Sequence, residues 1–158
     1  MHVNAGSDAL TRSSAEGYEV NAVVGAVAAV WLGMVLAISF LEAPLKFRAP
    51  GITLALGLGI GRLVFAALNR VEVVLAVVIV IGAAPGPRPV GLIMGGAVAV
   101  GALVAQLVLV RPFLVRRSNR VLNGEQGPRS RAHHAYVALE VVKVLALVSV
   151  TWAALRPV

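Results

Sequence analysis

The chain contains no cysteine. That excludes disulfides, thiol catalysis, cysteine-ligated zinc and iron–sulfur clusters. Charge is scarce too: 13% of the 158 residues, against roughly 25% in a typical soluble domain. Acids are the scarcer sign, seven against fourteen bases, and aromatics make up only 5%. No nucleophile and base stand at a spacing that reads as a catalytic pair. Ser39 and Ser149 have no neighbouring base in sequence, so a non-enzymatic role is expected. The run "GLGIG" at 57–61 has no preceding strand and no βαβ context, which removes the dinucleotide-fingerprint reading.

What the chain has is hydrocarbon. It is 59% hydrophobic, with a mean hydropathy of +0.89, mostly Val, Ala and Leu in long runs. A helix needs roughly 20 apolar residues to cross a bilayer. The sequence has room for four such spans and little else. The expected fold is all-α: a polytopic membrane protein, one four-transmembrane-helix bundle over residues 20–158. The first 19 residues read as a polar, disordered tail. They offer neither the positive start nor the small-residue cleavage site of a secretory signal, so the first span is expected to be retained.

Span one reads from Val20 to Leu41, closed by Glu42 and Pro44. Span three reads from Val90 to Val110, ended by Arg111-Pro112, and span four from Ala135 to Leu155. Between spans two and three, "GAAPGPRPVG" concentrates helix breakers. The stretch from Val73 to Ala84 is too short to cross, so span two must begin before Glu72. Pro50 can open a helix, and one running from Ile52 to Ala84 would be about 50 Å long. The second helix is therefore expected to be extended, with any bend at Gly57–Gly61.

The +7 charge does not point to nucleic acid. Twelve of the fourteen bases are Arg, and most lie between apolar runs. Arg111, Arg116, Arg117, Arg120, Arg129 and Arg131 face one acid, Glu125, in the third connection, and Lys46, Arg48, Arg62 and Arg70 follow span one. Only Arg88 lies between spans two and three. The positive-inside rule then puts the Arg111–Arg131 loop in the cytoplasm and both termini outside. The Arg-over-Lys and Ala/Val/Gly bias suggests a high-GC bacterial genome, hence a bacterial inner membrane, with the lipid bilayer as the first partner.

The polar residues fall into layers. Counted from Pro85 and Arg156, Glu72 and Lys143 both lie about 20 Å down. Asn69 and Glu140 lie about 24 Å down, as does Gln106 counted from Val90. Glu42, counted from Val20, is about 33 Å down, level with Arg62 and His133. Angles agree: Arg62, Asn69 and Glu72 share one helical face, and His133, Glu140 and Lys143 repeat the same spacing, with Tyr136 and Thr151 on that second face. A charge facing lipid costs about 2.5–3.5 kcal/mol even on a lenient scale. The two faces should therefore meet inside the bundle, Glu72 pairing with Lys143 and Arg62 reaching Glu42 or the His133 end.

No cofactor is expected. Adjacent His133 and His134 point about 100° apart on a helix and cannot readily share a metal. Haem lacks a facing axial histidine, since the only other one is His2. Copper or zinc held by His133, Glu140 and Glu72 is the metal alternative. The plainer reading puts both histidines at headgroup level.

The stretches "AAVWLGMVLAISFLEAPLKF", "QLVLVRPFLVRRSNRVLNG" and "RAHHAYVALEVVKVLAL" resemble small bacterial four-helix proteins related to the transmembrane protein 205 family. The resemblance rests on Trp31, Leu32 and Gly33, then Phe40, Pro44 and Phe47, then His133 or His134 opening the last helix, and it covers residues 23–155. The paired histidines and the "GLGIGR" run depart from the family pattern. The resemblance implies an integral membrane protein with no settled activity, loosely similar to copper-resistance membrane proteins.

Two roles follow from the polar layers. The first is a structural or accessory subunit, or a homo-oligomer, in which the charges fix helix register. Gly91, Gly95, Gly96 and Gly101 would then let a partner helix approach span three. The second is a carrier of a small solute, a proton or a metal ion that uses the cluster as its site.

Overall fold

A computed structural model describes residues 4–84, 86, 88–122 and 131–156. Helix α1 (Asn4–Val35) includes residues 4–19, set apart above as a polar tail. It continues without a break through a π-helical segment (Leu36–Glu42), one helical turn (Ala43–Leu45) and a 3-10 turn (Lys46–Arg48). Helix α2 is Leu54–Ala83, α3 is Val90–Ala105, α4 is Arg111–Leu122 and α5 is Arg131–Leu155. A second π-helical segment, Gln106–Val110, joins α3 to α4. There is no strand among the described residues. Among the described residues four helical stretches are long and apolar enough to cross a membrane, which is the architecture of a multi-pass membrane protein.

The turn before α2 follows from its residues. Pro50 and Gly51 occupy the centre of a turn closed by the Ile52 amide donating to the Ala49 carbonyl (3.2 Å). Gly51 takes φ +79°, which a type II turn requires at its third position. Thr53 then caps α2, its hydroxyl oxygen accepting from the Leu56 amide at 3.2 Å. As expected from the sequence, α2 is unbroken between Arg62 and Glu72. At its far end Arg88 donates to the Gly17 carbonyl and to Asn21 Oδ1, both at 3.0 Å, holding the α2–α3 connection to α1.

The helices form a ring in the order α1, α2, α3, α5, with α1 and α5 also adjacent. Each contributes one buried stripe. On α5 it runs Tyr136, Glu140, Lys143, Leu147, Val150 and Ala154, at alternating spacings of four and three. On α1 it runs Val24, Ala28, Trp31 and Val35. The outward faces carry exposed Leu63, Val74, Ile81, Val90 and Leu145, an apolar surface suited to lipid.

Helix association in lipid rests on close packing and polar contacts rather than on expulsion of water. Gly95 illustrates the closeness: a Cβ there would sit 2.9 Å from the Ala146 carbonyl oxygen and 2.8 Å from a Val150 methyl. Gly91 likewise faces Ala153 and Gly96 faces Ile79. Three of the four glycines that could have received a second copy are thus occupied by α2 and α5 of the same chain. Gly101 alone faces open space.

Candidate functional site

Five side chains from all four sides of the ring converge in its core. Lys143 and Glu72 are 0% exposed, and Lys143 Nζ lies 2.6 Å from Glu72 Oε1. The Trp31 indole N–H donates to the same oxygen at 2.9 Å. Lys143 also approaches Glu140 Oε1 at 3.4 Å. Gln106 Nε2 donates to Glu140 Oε1 at 3.0 Å and reaches the Tyr136 carbonyl at 3.5 Å. The formal balance is two carboxylates against one ammonium. Such a group holds only while its geometry compensates for lost hydration. The compensation is partial: Glu72 Oε2 and Gln106 Oε1 are buried with no hydrogen-bond partner among the described residues.

Beside this cluster lies a cavity of about 530 Å³. Its inner wall is Glu140, Asn69 and Tyr136, all buried. Positions along α2 follow from the helix rise. Gly57 receives the Phe47 ring, and Gly61 receives Lys46, whose ammonium would lie 2.9 Å from a Cβ there. Phe65 meets Tyr136 edge-on, with centroids 5.5 Å apart and planes at 81°. Asn69 comes next, then Glu72. The cavity therefore runs from the Phe47–Lys46 level to the cluster, a distance of about 12 Å along the helix from Gly61 to Asn69.

Three cations line it: Lys46, Arg62 and Arg111. Lys46 is paired with Glu42 one turn before it (3.2 Å), and its ammonium sits over the Phe65 and Phe47 rings at 5.4 and 5.7 Å. Arg62 donates to the neutral amide oxygen of Asn119 at 2.7 Å. Among the described residues neither Arg62 nor Arg111 forms an ion pair. Asn69 Oδ1, the Tyr136 hydroxyl, Ser39 Oγ and Ser118 Oγ belong to the same lining and have no hydrogen-bond partner there. The remaining wall is aromatic and aliphatic, led by Phe40, Phe47 and Phe65.

The expected Glu72–Lys143 pair is present, and Glu140 and Gln106 join it as the layering requires. Asn69 is buried at that level, on the cavity side. Two expected contacts differ. Glu42 turns to Lys46 on its own helix, because four residues separate them and that approach is local. Arg62 turns to Asn119, because α4 packs against α2 and brings an acceptor to it. Thr151 returns its hydroxyl to the Leu147 carbonyl (2.9 Å) within α5 and does not join the cluster. The His133 side chain lies outside the described residues, and His134 is exposed. The other two ligands of the metal alternative, Glu72 and Glu140, are placed around Lys143, a cation where a metal would sit.

Trp31, named from the sequence only for the family resemblance, belongs to the cluster as well. Counted from Val20 it lies about 17 Å down, close to the level of Glu72. It also falls on the buried Val24–Ala28–Val35 stripe. An indole N–H needs an acceptor when buried, so its depth was the available signal. Comparisons with protein-family models, with curated proteins and with solved structures give no match.

Proposed function

We propose that this protein is an integral membrane carrier for a small solute, non-enzymatic, with the cavity as its entrance and the buried cluster as the end of the path. The observation that supports it is the double position of Glu140. It is 1% exposed and bound to Gln106 and Lys143, yet it also forms part of the cavity wall. A change at the cavity is thereby felt by a group on α5 that touches the Gln106–Val110 segment and, through Lys143, α2. In this reading the Arg-rich end faces the cytoplasm of a bacterial cell and both termini lie outside. Kinship with the transmembrane protein 205 family is part of the same proposal.

A second reading, a structural or accessory subunit or a homo-oligomer, is favoured by the complete burial of the Glu72–Lys143–Trp31 contact. Cysteine accessibility separates the two, since the chain brings no cysteine of its own. A Ser118→Cys variant in sealed vesicles should react with an impermeant maleimide from the Arg-rich side. A carrier must also open the other way, so Ala146→Cys or Ala76→Cys, both buried, should react from the opposite side. Labelling from the first side only would remove the carrier reading and leave the structural one.

A further inference from the structure

Taking the cavity as a ligand site, as proposed above, we infer that its ligand is an amphipathic organic anion. Its carboxylate or phosphate lies among Lys46, Arg62 and Arg111. Its body lies against Phe40, Phe47 and Phe65. A hydrogen-bond donor at its far end meets Asn69 and Glu140.

The charge of the lining selects the sign. Three cations border the cavity, and Glu42 compensates only Lys46. Among the described residues Glu140 is the one carboxylate in the wall, and it already faces the Lys143 ammonium and the Gln106 amide. Arg62 and Arg111 therefore hold charge that no described carboxylate meets. Arg111 is half-buried, so its charge is screened less than one in bulk water, and Arg62 is exposed at the rim, where it draws an anion towards the mouth. Arginine also presents a planar fork that suits carboxylate and phosphate.

The wall selects the body. Twelve of the twenty lining residues are apolar or glycine. A bare inorganic anion would leave that surface unfilled. A volume near 530 Å³ lies within the usual range for sites that take a drug-sized molecule, ~300–1,000 Å³.

The inner end selects the donor. Asn69 Oδ1 is buried, lines the cavity and accepts from no described group. The Glu140 carboxylate beside it can only accept when ionised. A hydroxyl or N–H reaching this end gives a lone acceptor its missing bond, and unpaired buried acceptors are what such sites discriminate on. Arg62 and Asn69 are seven residues apart on α2, so the anion and the donor should be separated by about 10 Å. A benzene ring with a short acid chain and a para hydroxyl has that length.

The test is calorimetry on the purified full chain in detergent with three probes of one shape. These are 3-(4-hydroxyphenyl)propionate, 3-phenylpropionate, and tyramine, which exchanges the carboxylate for an ammonium. The hydroxylated acid should bind, the unsubstituted acid about tenfold more weakly, and tyramine not at all. Arg111→Gln and, separately, Arg62→Gln should each weaken the hydroxylated acid several-fold while leaving the melting temperature in place. Asn69→Ala should abolish the preference between the two acids without weakening the unsubstituted one. Tyramine binding as well as the acids, or no acid binding up to ~10 mM, would overturn the inference. The same titration in nanodiscs of phosphatidylglycerol and of phosphatidylcholine identifies the source. Competition by the anionic lipid alone places the natural anion in the bilayer, and its absence places it in water. Acid binding without labelling of Ala146→Cys from the far side would sustain this inference and remove the carrier proposal. Far-side labelling without acid binding would do the reverse.

Discussion

Lys143 and Glu72 meet across the diagonal of the bundle. Their helices, α5 and α2, are not neighbours in the ring, yet the side chains close to 2.6 Å. With neighbouring helix axes at about 8–10 Å, a diagonal is about 11–14 Å, so two long side chains must reach towards each other through the centre. The pair thus occupies the centre of a core otherwise made of aliphatic side chains such as Ile79, Leu92, Leu147 and Val150.

Removing one partner strands the other. Lys143→Met should destabilise the protein in detergent by about 3–5 kcal/mol, the range for broken buried pairs. Glu72→Gln combined with Lys143→Met should recover part of the loss. Thermal or denaturant unfolding of the two single variants and the double one provides the readout, and strictly additive losses would contradict a coupled pair.

Trp31→Phe keeps most of the ring and deletes only the N–H that reaches Glu72. The expected loss is about 1.5–3 kcal/mol, the worth of a hydrogen bond to a charged group. In the Glu72→Gln/Lys143→Met background the same substitution should cost much less. An equal loss in both backgrounds would mean that Trp31 acts through its ring packing.

Gly95→Ala brings a methyl against the Ala146 backbone oxygen, which cannot step aside. Overpacking of this kind costs about 1–3 kcal/mol. Gly101→Ala meets nothing within 4 Å and should stay within about 0.5 kcal/mol of the parent, if not gain slightly from helix propensity. Unfolding midpoints of the two variants should therefore separate clearly. Similar values would show that α3 and α5 are not in the close contact described.

Orientation is tested at the C-terminus. An alkaline phosphatase fused after residue 158 should be active, and a green fluorescent protein at the same point dark. The opposite pattern would invert the bundle in the membrane and put the cavity mouth outside.

The spans and the central pair were legible because two periodicities agreed. Helical rise put Glu72 and Lys143 at one depth, and residue spacing put each on one face. The cost of a lipid-facing charge then left only the inside. Contacts near the Arg-rich end were not legible in the same way. Glu42 had both Lys46 and Arg62 within reach, and depth alone does not choose between a partner on the same helix and one across a gap. Asn119 could not be placed as the partner of Arg62 until α4 was known to continue α3 and pack against α2. The cavity was invisible for a related reason. It exists where helices diverge, and a pattern of faces describes only where they touch.

The π-helical segments, Leu36–Glu42 and Gln106–Val110, lie on α1 and on the α3–α4 helix, next to the cavity on both. Each behaves as a single-residue insertion absorbed by a helix that does not break. Everything beyond it is turned by about 100° relative to an uninterrupted helix. The bundle above the insertions keeps one rotational phase, and the walls of the cavity below keep another. Deleting one residue, Ala37 for instance, would restore a plain α-helix and leave Lys46 and Phe47 facing Gly61 and Gly57, whereas straightening the segment at unchanged length would swing them away. The Trp31–Glu72–Lys143 contact lies before that point in α1 and would keep its phase. The way one extra residue is wound can thus turn the wall of the site while the frame that carries it stays in register.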